Sequence, residues 1–331
     1  MQEFIIFTII LALFFDFING FHDSANAIST VVATKVLSPI RAVGMAAVGN
    51  LIGPLFFSTA IAATIGKGII KIDGVASDIL VTLIFSALVG AIIWDLITWY
   101  VGLPTSSSHA LVGGLVGGGL AALGSGYINP SGVEKVVVFM VVSPIVGMAA
   151  AFILTTIVIR AFYRVSPTKI NRYFRSLQLF SAFFYSVTHG TNDAQKTMGI
   201  ITVLLVAYGS LTTFAVPLWV ILAAHISISL GTFFGGWRIV KTMAQKITKL
   251  RPYQGFCAET SGGLVLASMA AMGVPVSTTH VISSSIMGVG ATDKLSAVRW
   301  GIARKIVGAW ILTIPASALM SFLTYQIITA F

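Results

Sequence analysis

The sequence predicts an all-α integral membrane protein made of two copies of one unit. Of its 331 residues 56% are hydrophobic and only 9% charged, with a mean hydropathy of +0.96; a soluble domain carries about 25% charged residues. The apolar runs reach about twenty residues, the length that crosses a ~30 Å hydrocarbon core as helix, and no period-two alternation marks a membrane β-barrel. Two pairs of polar motifs recur at nearly the same offset, 170 positions from Asp23 to Asp193 and 171 from His109 to His280.

Residues 1–16 are apolar but lack a basic leading region and a small-residue cleavage site, so they read as a retained first helix and not as a signal peptide. Helical segments are expected near 3–19, 24–37, 41–65, 77–100 and 134–163, then near 179–190, 193–208, 213–236, 255–272 and 302–328. The polar motifs at 17–27 and 187–197 interrupt apolar sequence, and a helix break is expected at each. Residues 101–126 and 272–291 are apolar yet open on Pro and a hydroxyl run, so they do not read as simple spans. The organisation is therefore a first transmembrane repeat, 1–163, a short basic linker, 164–178, and a second repeat, 179–331. The 32 glycines suit close helix packing and broken helices. The single Cys257 excludes an internal disulfide and a thiolate metal cluster.

The net charge of +10 lies in the segments between apolar runs. Arg160, Arg164, Lys169, Arg172 and Arg175 surround the middle of the chain. Arg238, Lys241, Lys246, Lys249 and Arg251 form a second group, and Lys294, Arg299, Arg304 and Lys305 a third. In a membrane protein such clusters mark cytoplasmic loops, so the charge reads as topology and not as a nucleic-acid surface.

The motif P-T-S-S-S-H at 104–109 recurs as P-V-S-T-T-H at 275–280. Proline is favoured in the first turn of a helix, where its missing N–H costs nothing. Ser106, Ser107 and Ser108, and their counterparts Ser277, Thr278 and Thr279, then sit beside unpaired backbone N–H groups at the positive end of a helix dipole. Backbone and hydroxyl donors together can surround a tetrahedral oxyanion. Hydroxyl runs also cap helices or join them in membrane bundles, but the duplicated pattern favours an anion site.

The other pair, G-F-H-D-S-A-N-A at 20–27 and G-T-N-D-A-Q-K-T at 190–197, supplies the opposite charge. Asp23 and Asp193, with Asn26, Asn192 and Gln195, offer hard oxygen ligands for a cation. A carboxylate at the centre of a membrane helix costs about 2.5–3.5 kcal/mol on insertion scales, so it should face water or a bound cation. The alternative is a structural ion pair of Asp193 or Asp23 with Lys196. Asp95 and Glu259 are further acids in apolar surroundings, and Asp16 is left outside the site. His22, His109, His189 and His280 lie in the motifs, where proton relay or hydrogen bonding suits them better than zinc, for which no ligand set is fixed. No cofactor loop, nucleotide loop or nucleophile elbow is present. A membrane enzyme would need one asymmetric nucleophile–base set, which paired symmetric motifs do not offer. A channel would differ in non-saturating flux.

Broken helices within an internal duplication are the pattern of secondary transporters with inverted repeats. At these residues the chain resembles the Pit family of inorganic phosphate transporters: G-F-H-D-S-A-N-A, H-G-T-N-D-A-Q-K-T-M-G and both P-x-S-[ST]-[ST]-H runs stand in the family's order over nearly the whole chain. The resemblance implies two inverted-topology repeats, each with broken helices and a re-entrant helical hairpin, around phosphate near the midplane of the plasma (inner) membrane. It assigns phosphate to the hydroxyls with Asp23 and Asn26, and the coupling cation to His22, Asp23, Asn26, Asn192, Asp193 and Gln195; Asp23 and Asp193 are the places where a cation would sit. His22 stands where many sodium-coupled members have Asn, which favours H+ over Na+, with a metal–phosphate complex as one form of the substrate. Sulfate permease activity is the alternative within this fold, but an acidic partner for a protonated phosphate oxygen favours phosphate. Carrying an anion into a negative-inside cell costs about 2.3 kcal/mol per charge per 100 mV, which a cotransported cation must offset. The sequence leaves the oligomeric state open, a homodimer included.

Overall fold

The computed structural model describes residues 2–56 and 59–330. Among them lie twelve α-helices: α1 (Gln2–Ala33), α2 (Pro39–Ile52), α3 (Ala60–Gly68), α4 (Ser77–Val101), α5 (Ser107–Leu123), α6 (Pro130–Ala161), α7 (Pro167–Ala207), α8 (Leu218–Phe234), α9 (Trp237–Lys246), α10 (Pro252–Ala271), α11 (Thr278–Asp293) and α12 (Trp300–Ala330). Four of them, α1, α4, α6 and α12, are long and apolar enough to cross a membrane, and up to six spans result if each of two bent pairs counts as one. Large apolar side chains such as Val141, Ile145, Ile153, Ile311 and Leu319 are exposed on α6 and α12. Such faces are stable against lipid tails, which are as apolar as they are.

The order of helices α1–α6 is repeated by α7–α12, and packing exchanges between the halves. Helix α1 lies on α8 as α7 lies on α2, and α5 lies on α12 as α11 lies on α6. The matched helices α1 and α7 run antiparallel. Just beyond the C-terminal end of α1, Thr34 donates to Gln178 near the start of α7 at 2.9 Å; towards the middle, Asp16 faces Thr197 far along α7.

The expected breaks at 17–27 and 187–197 do not occur. Helices α1 and α7 run through both motifs without interruption. The glycines that prompted the expectation serve close packing instead. A β-carbon at Gly20 would lie 2.1 Å from the Ile228 carbonyl oxygen on α8, and one at Gly190 would lie 2.5 Å from Asn50 Cα on α2. The bends fall elsewhere. Residues 41–65, expected as one helix, form most of α2 and α3, bent by 86°, and 57–58 between them lie outside the described residues. Helices α8 and α9 meet at 66°, at Gly235, whose φ of +72° is one that residues with a β-carbon rarely adopt. Residues 167–178 of the expected linker are the first turns of α7, opened by Pro167 in the position proline favours.

Helices α5 and α11 have 17 and 16 residues, and at 1.5 Å per residue each reaches only about 25 Å. That is shorter than a ~30 Å hydrocarbon layer. Leucine at position 20 would force α8 away from α1; Gly20→Leu is expected to lose about 1–3 kcal/mol of packing energy or more. A lower thermal midpoint in detergent would register it, while Gly126→Ala, with open space around it, should leave the midpoint in place.

Candidate substrate and cation site

The site is assembled from two long helices and two helix ends. Ser106 caps α5 and Ser277 caps α11, each in extended backbone, accepting from the backbone N–H of His109 (3.3 Å) and His280 (3.1 Å). Each cap satisfies one of the free N–H groups of its first turn and aims the next two hydroxyls inward. The His109 and His280 rings meet edge to face with centroids 4.8 Å apart, so the positive ends of two helix dipoles converge on one buried place.

Against these ends stand the acid–amide segments of α1 and α7. Thr279 donates to Asp23 Oδ2 at 3.3 Å and Thr278 to Asp193 Oδ2 at 3.2 Å. Asn26 Nδ2 donates to the hydroxyl oxygens of Thr279 (2.9 Å) and Thr278 (3.3 Å). On the other half, Lys196 donates to Ser108 and forms an ion pair with Asp193. Tyr185 holds the Thr278 carbonyl at 3.0 Å. An oxygen of Asp23, a ring nitrogen of His189 and an oxygen of Asp193 lie within 4.8 Å of one another, a spacing one cation can bridge. Two carboxylates against one ammonium leave one negative charge when both acids are ionised. That is unfavourable for an anion unless a cation or proton accompanies it.

The sequence-predicted residues separate into groups. Asp23, Asn26, Asp193, Thr278 and Thr279 meet directly, and Ser108 joins them through Lys196. His22 donates to Asp23 Oδ1 at 2.7 Å, and its Nε2 turns to Thr98 (3.1 Å) and Thr105 (3.4 Å). Ser107 closes no hydrogen bond and faces Asp95, which also faces His22. Asn192 donates to the carbonyls of Thr188 (2.8 Å) and Leu266 (3.3 Å). Gln195 turns towards α3, accepting from the Ile61 N–H at 2.9 Å. Glu259 forms a separate polar cluster: Thr30 (2.5 Å), Gln178 (3.0 Å) and Ser181 all donate to it.

Sequence reasoning gave Lys196 only the role of ion-pair alternative, and the Asp193–Lys196 pair does form. The signal for a larger role was present, because Lys196 occupies the position of Asn26 in the 170-residue repeat and meets Ser108 as Asn26 meets Thr279. Thr98 and Tyr185 carry no such mark and become visible only in three dimensions; Thr105 lies in the hydroxyl motif, but its counterpart is Val276.

The Phosphate transporter family model matches residues 19–321. The chain belongs to this family. It is 52% identical to the "Probable low-affinity inorganic phosphate transporter" of Rhizobium meliloti (strain 1021), over 96% of this chain and 94% of the relative. It is 45% identical to the protein of the same description from Bacillus subtilis (strain 168), over 98% and 96%. Among solved structures it resembles "The sodium-dependent phosphate transporter" with a TM-score of 0.92 and 25% identity, covering 99% of this chain and 100% of that one. These relatives are phosphate transporters and not enzymes, and the apolar helices make the family member in hand a multi-pass membrane protein.

The buried pair gives a direct test. Asp193→Asn leaves Lys196 charged and unpaired in the interior, a loss of about 3–5 kcal/mol, and should lower the thermal midpoint in detergent. Asp193→Asn with Lys196→Met should recover most of that stability without recovering phosphate transport. Equal stability of the single and double variants would show that the pair does not matter to the fold.

Proposed function

We propose that this protein imports inorganic phosphate across the inner membrane in symport with a proton, by alternating access of two inverted repeats around the Asp23–Asp193 site. One observation carries the reading: the hydroxyl-bearing N-terminal turns of α5 and α11 converge on two carboxylates, an ammonium and an amide, all buried. Backbone N–H groups, dipole ends, the hydroxyls of Ser107, Ser108, Thr278 and Thr279, and the Lys196 ammonium are the donors a tetrahedral oxyanion requires. Asp23 and Asp193 accept from protonated phosphate oxygens, which sulfate lacks at neutral pH.

The present hydrogen bonds describe the exchange that binding requires. Thr278 and Thr279 now donate to carboxylates. Phosphate takes over those hydroxyl protons as each threonine O–H rotates, and the released carboxylates accept from the phosphate or from the accompanying cation. Asn26 keeps both hydroxyl oxygens fixed while the protons swing. The repeated helix order, the exchanged packing and the antiparallel run of α1 and α7 support inverted topology, with 1–163 and 179–331 as the repeats. The shortness of α5 and α11 supports re-entrant hairpins. Site residues such as Asp23, Asn26 and Asp193 are at most 2% exposed, so the arrangement is closed to both faces and phosphate reaches it after one repeat rocks against the other.

A second reading, sodium in place of the proton, draws on the described sodium dependence of the structural neighbour and on the close approach of Asp23, His189 and Asp193. His22 beside Asp23, in hydrogen-bond reach of Thr98 and Thr105, favours the proton. Phosphate uptake into proteoliposomes separates them: an inward proton gradient alone should drive it, arsenate should compete and sulfate should not. Uptake driven by sodium alone would replace the proton reading; uptake of sulfate in place of phosphate would overturn the substrate. Thr278→Val with Thr279→Val removes two hydroxyl donors worth about 0.5–1.5 kcal/mol each. Phosphate binding should weaken by roughly tenfold or more, measured by equilibrium binding on purified protein.

A further inference from the structure

Seven residues before Asp23, two turns along the same face of α1, lies a carboxyl that the phosphate site does not use. Asp16 and Asn19 are 0% exposed and Thr197 is 1% exposed. Both carboxyl oxygens of Asp16, both amide heteroatoms of Asn19 and the Thr197 hydroxyl close no hydrogen bond within the protein. Asn19, one turn along α1, and Thr197, across on α7, are the polar side chains that face the carboxyl, with Asp193 and Lys196 beyond them. Of the acids and histidines on other helices packed on α1, Asp95 of α4 is likewise without a hydrogen bond but faces His22 and Ser107. Glu259 of α10 is held by three donors, and His225 of α8 bonds to the Asn50 carbonyl at 2.7 Å. His189 of α7 lies 3.3 Å from Asp193, and His109 of α5 and His280 of α11 pack edge to face on each other. The Lys196 ammonium is directed to Asp193 and Ser108. Among the described residues, no cation therefore pairs with Asp16.

We propose that Asp16, with Asn19 and Thr197, is a proton-binding site distinct from the phosphate site, and that Asp16 carries the coupled proton. A carboxylate and a carboxamide side by side are mismatched, since the amide oxygen has no donor to accept from. One added proton matches them: the Asp16 O–H donates to the Asn19 amide oxygen or the Thr197 hydroxyl, and the other carboxyl oxygen accepts from the Asn19 NH2 or the Thr197 O–H. Proton uptake forms one O–H bond at Asp16 and neutralises its charge; release on the other side of the membrane breaks that bond and returns the charge. Neutral, the group can be enclosed between α1 and α7 at far lower cost than when charged. This ties closure of the bundle to a loaded proton. Two turns of α1 separate the group from Asp23, on the helix that carries Asp23 and Asn26, so movement of α1 is felt at both sites.

The inference rests on the proton-coupled reading, and the test separates the two. Wild-type proteoliposomes are first given phosphate under a pH gradient and, separately, under a sodium gradient. Sodium-only uptake ends the proton reading and this inference with it. If the wild type responds to the pH gradient, Asp16→Asn should bring net pH-driven uptake down to the level of protein-free vesicles. It should still exchange internal for external labelled phosphate at equal pH, because exchange requires no proton release. Asp16→Glu, which restores a carboxyl, should restore net uptake and so excludes a purely structural effect. Undiminished net uptake by Asp16→Asn, or loss of exchange together with net uptake in both variants, would overturn the assignment.

Discussion

A carboxylate inside a bilayer has to be answered from within the protein, because lipid offers it nothing. Here Asp23 and Asp193 are answered by hydroxyls on the first turn of α11, by Lys196 and by histidine rings. Those hydroxyls are where they are because Ser106 and Ser277 cap their helices. The helix ends in turn are held by small-residue packing. A β-carbon at Gly117 would lie 2.0 Å from the Ala318 carbonyl oxygen on α12, and one at Gly288 would lie 2.3 Å from the Met148 carbonyl oxygen on α6. Satisfying the two acids thus fixes the depth of two helix ends, and the depth of those ends fixes how closely four helices approach.

Much of this was legible because it repeats. The membrane class followed from composition alone, and the hydroxyl motifs and acid–amide motifs marked the site by recurring at one offset. The predicted breaks in α1 and α7 failed for a physical reason. Glycine beside an acid and an amide reads as a place where a membrane helix cannot continue, but the same glycine also permits backbone contact, and the neighbouring helix decides between the two. Sequence did not reveal that Ile228 and Asn50 would lie against Gly20 and Gly190. The real bends, at α2–α3 and α8–α9, lie in apolar sequence with little polar marking. Thr98 was invisible for the converse reason: an isolated threonine in a membrane helix usually bonds to its own backbone, as Thr98 does to the Trp94 carbonyl, and only the position of His22 makes it different.

The spacing of polar residues on the two central helices carries a further constraint. On α1, Asp16, Asn19, Asp23, Asn26 and Thr30 recur every three or four residues, which places them on one face. On α7, Gln178, Ser181, Tyr185, His189, Asn192 and Lys196 do the same. With the helices antiparallel, these faces form a polar line through an apolar bundle, with Glu259 beside Thr30 and Gln178 towards one end and Asp16 towards the other. One hydrocarbon core packs around the Asp16 end of this line and another around the Glu259 end. A polar line of this length is costly in a bundle that needs only to fold.

Symmetry and its violation divide the work. The frame is symmetric: matched helices pack on matched partners, matched serines cap matched ends, and the two acids sit in matched positions. The proposed alternating access draws on this symmetry, because two repeats so related can exchange conformations between states of similar energy. The chemistry is asymmetric. Asn26 is matched by Lys196, His22 by Asn192, and Asp16 by Ser186, whose hydroxyl bonds to the Ala182 carbonyl at 2.8 Å on its own helix. One half brings the lysine, and the other brings His22 and the Asp16 carboxyl, the groups that the proposed proton coupling uses. If both halves carried lysine, phosphate would bind without needing a coupled ion. If both carried only acids and amides, no fixed positive charge would favour the anion. In the proposed symport, placing the lysine on one repeat and His22 with Asp16 on the other makes binding of the anion depend on the proton.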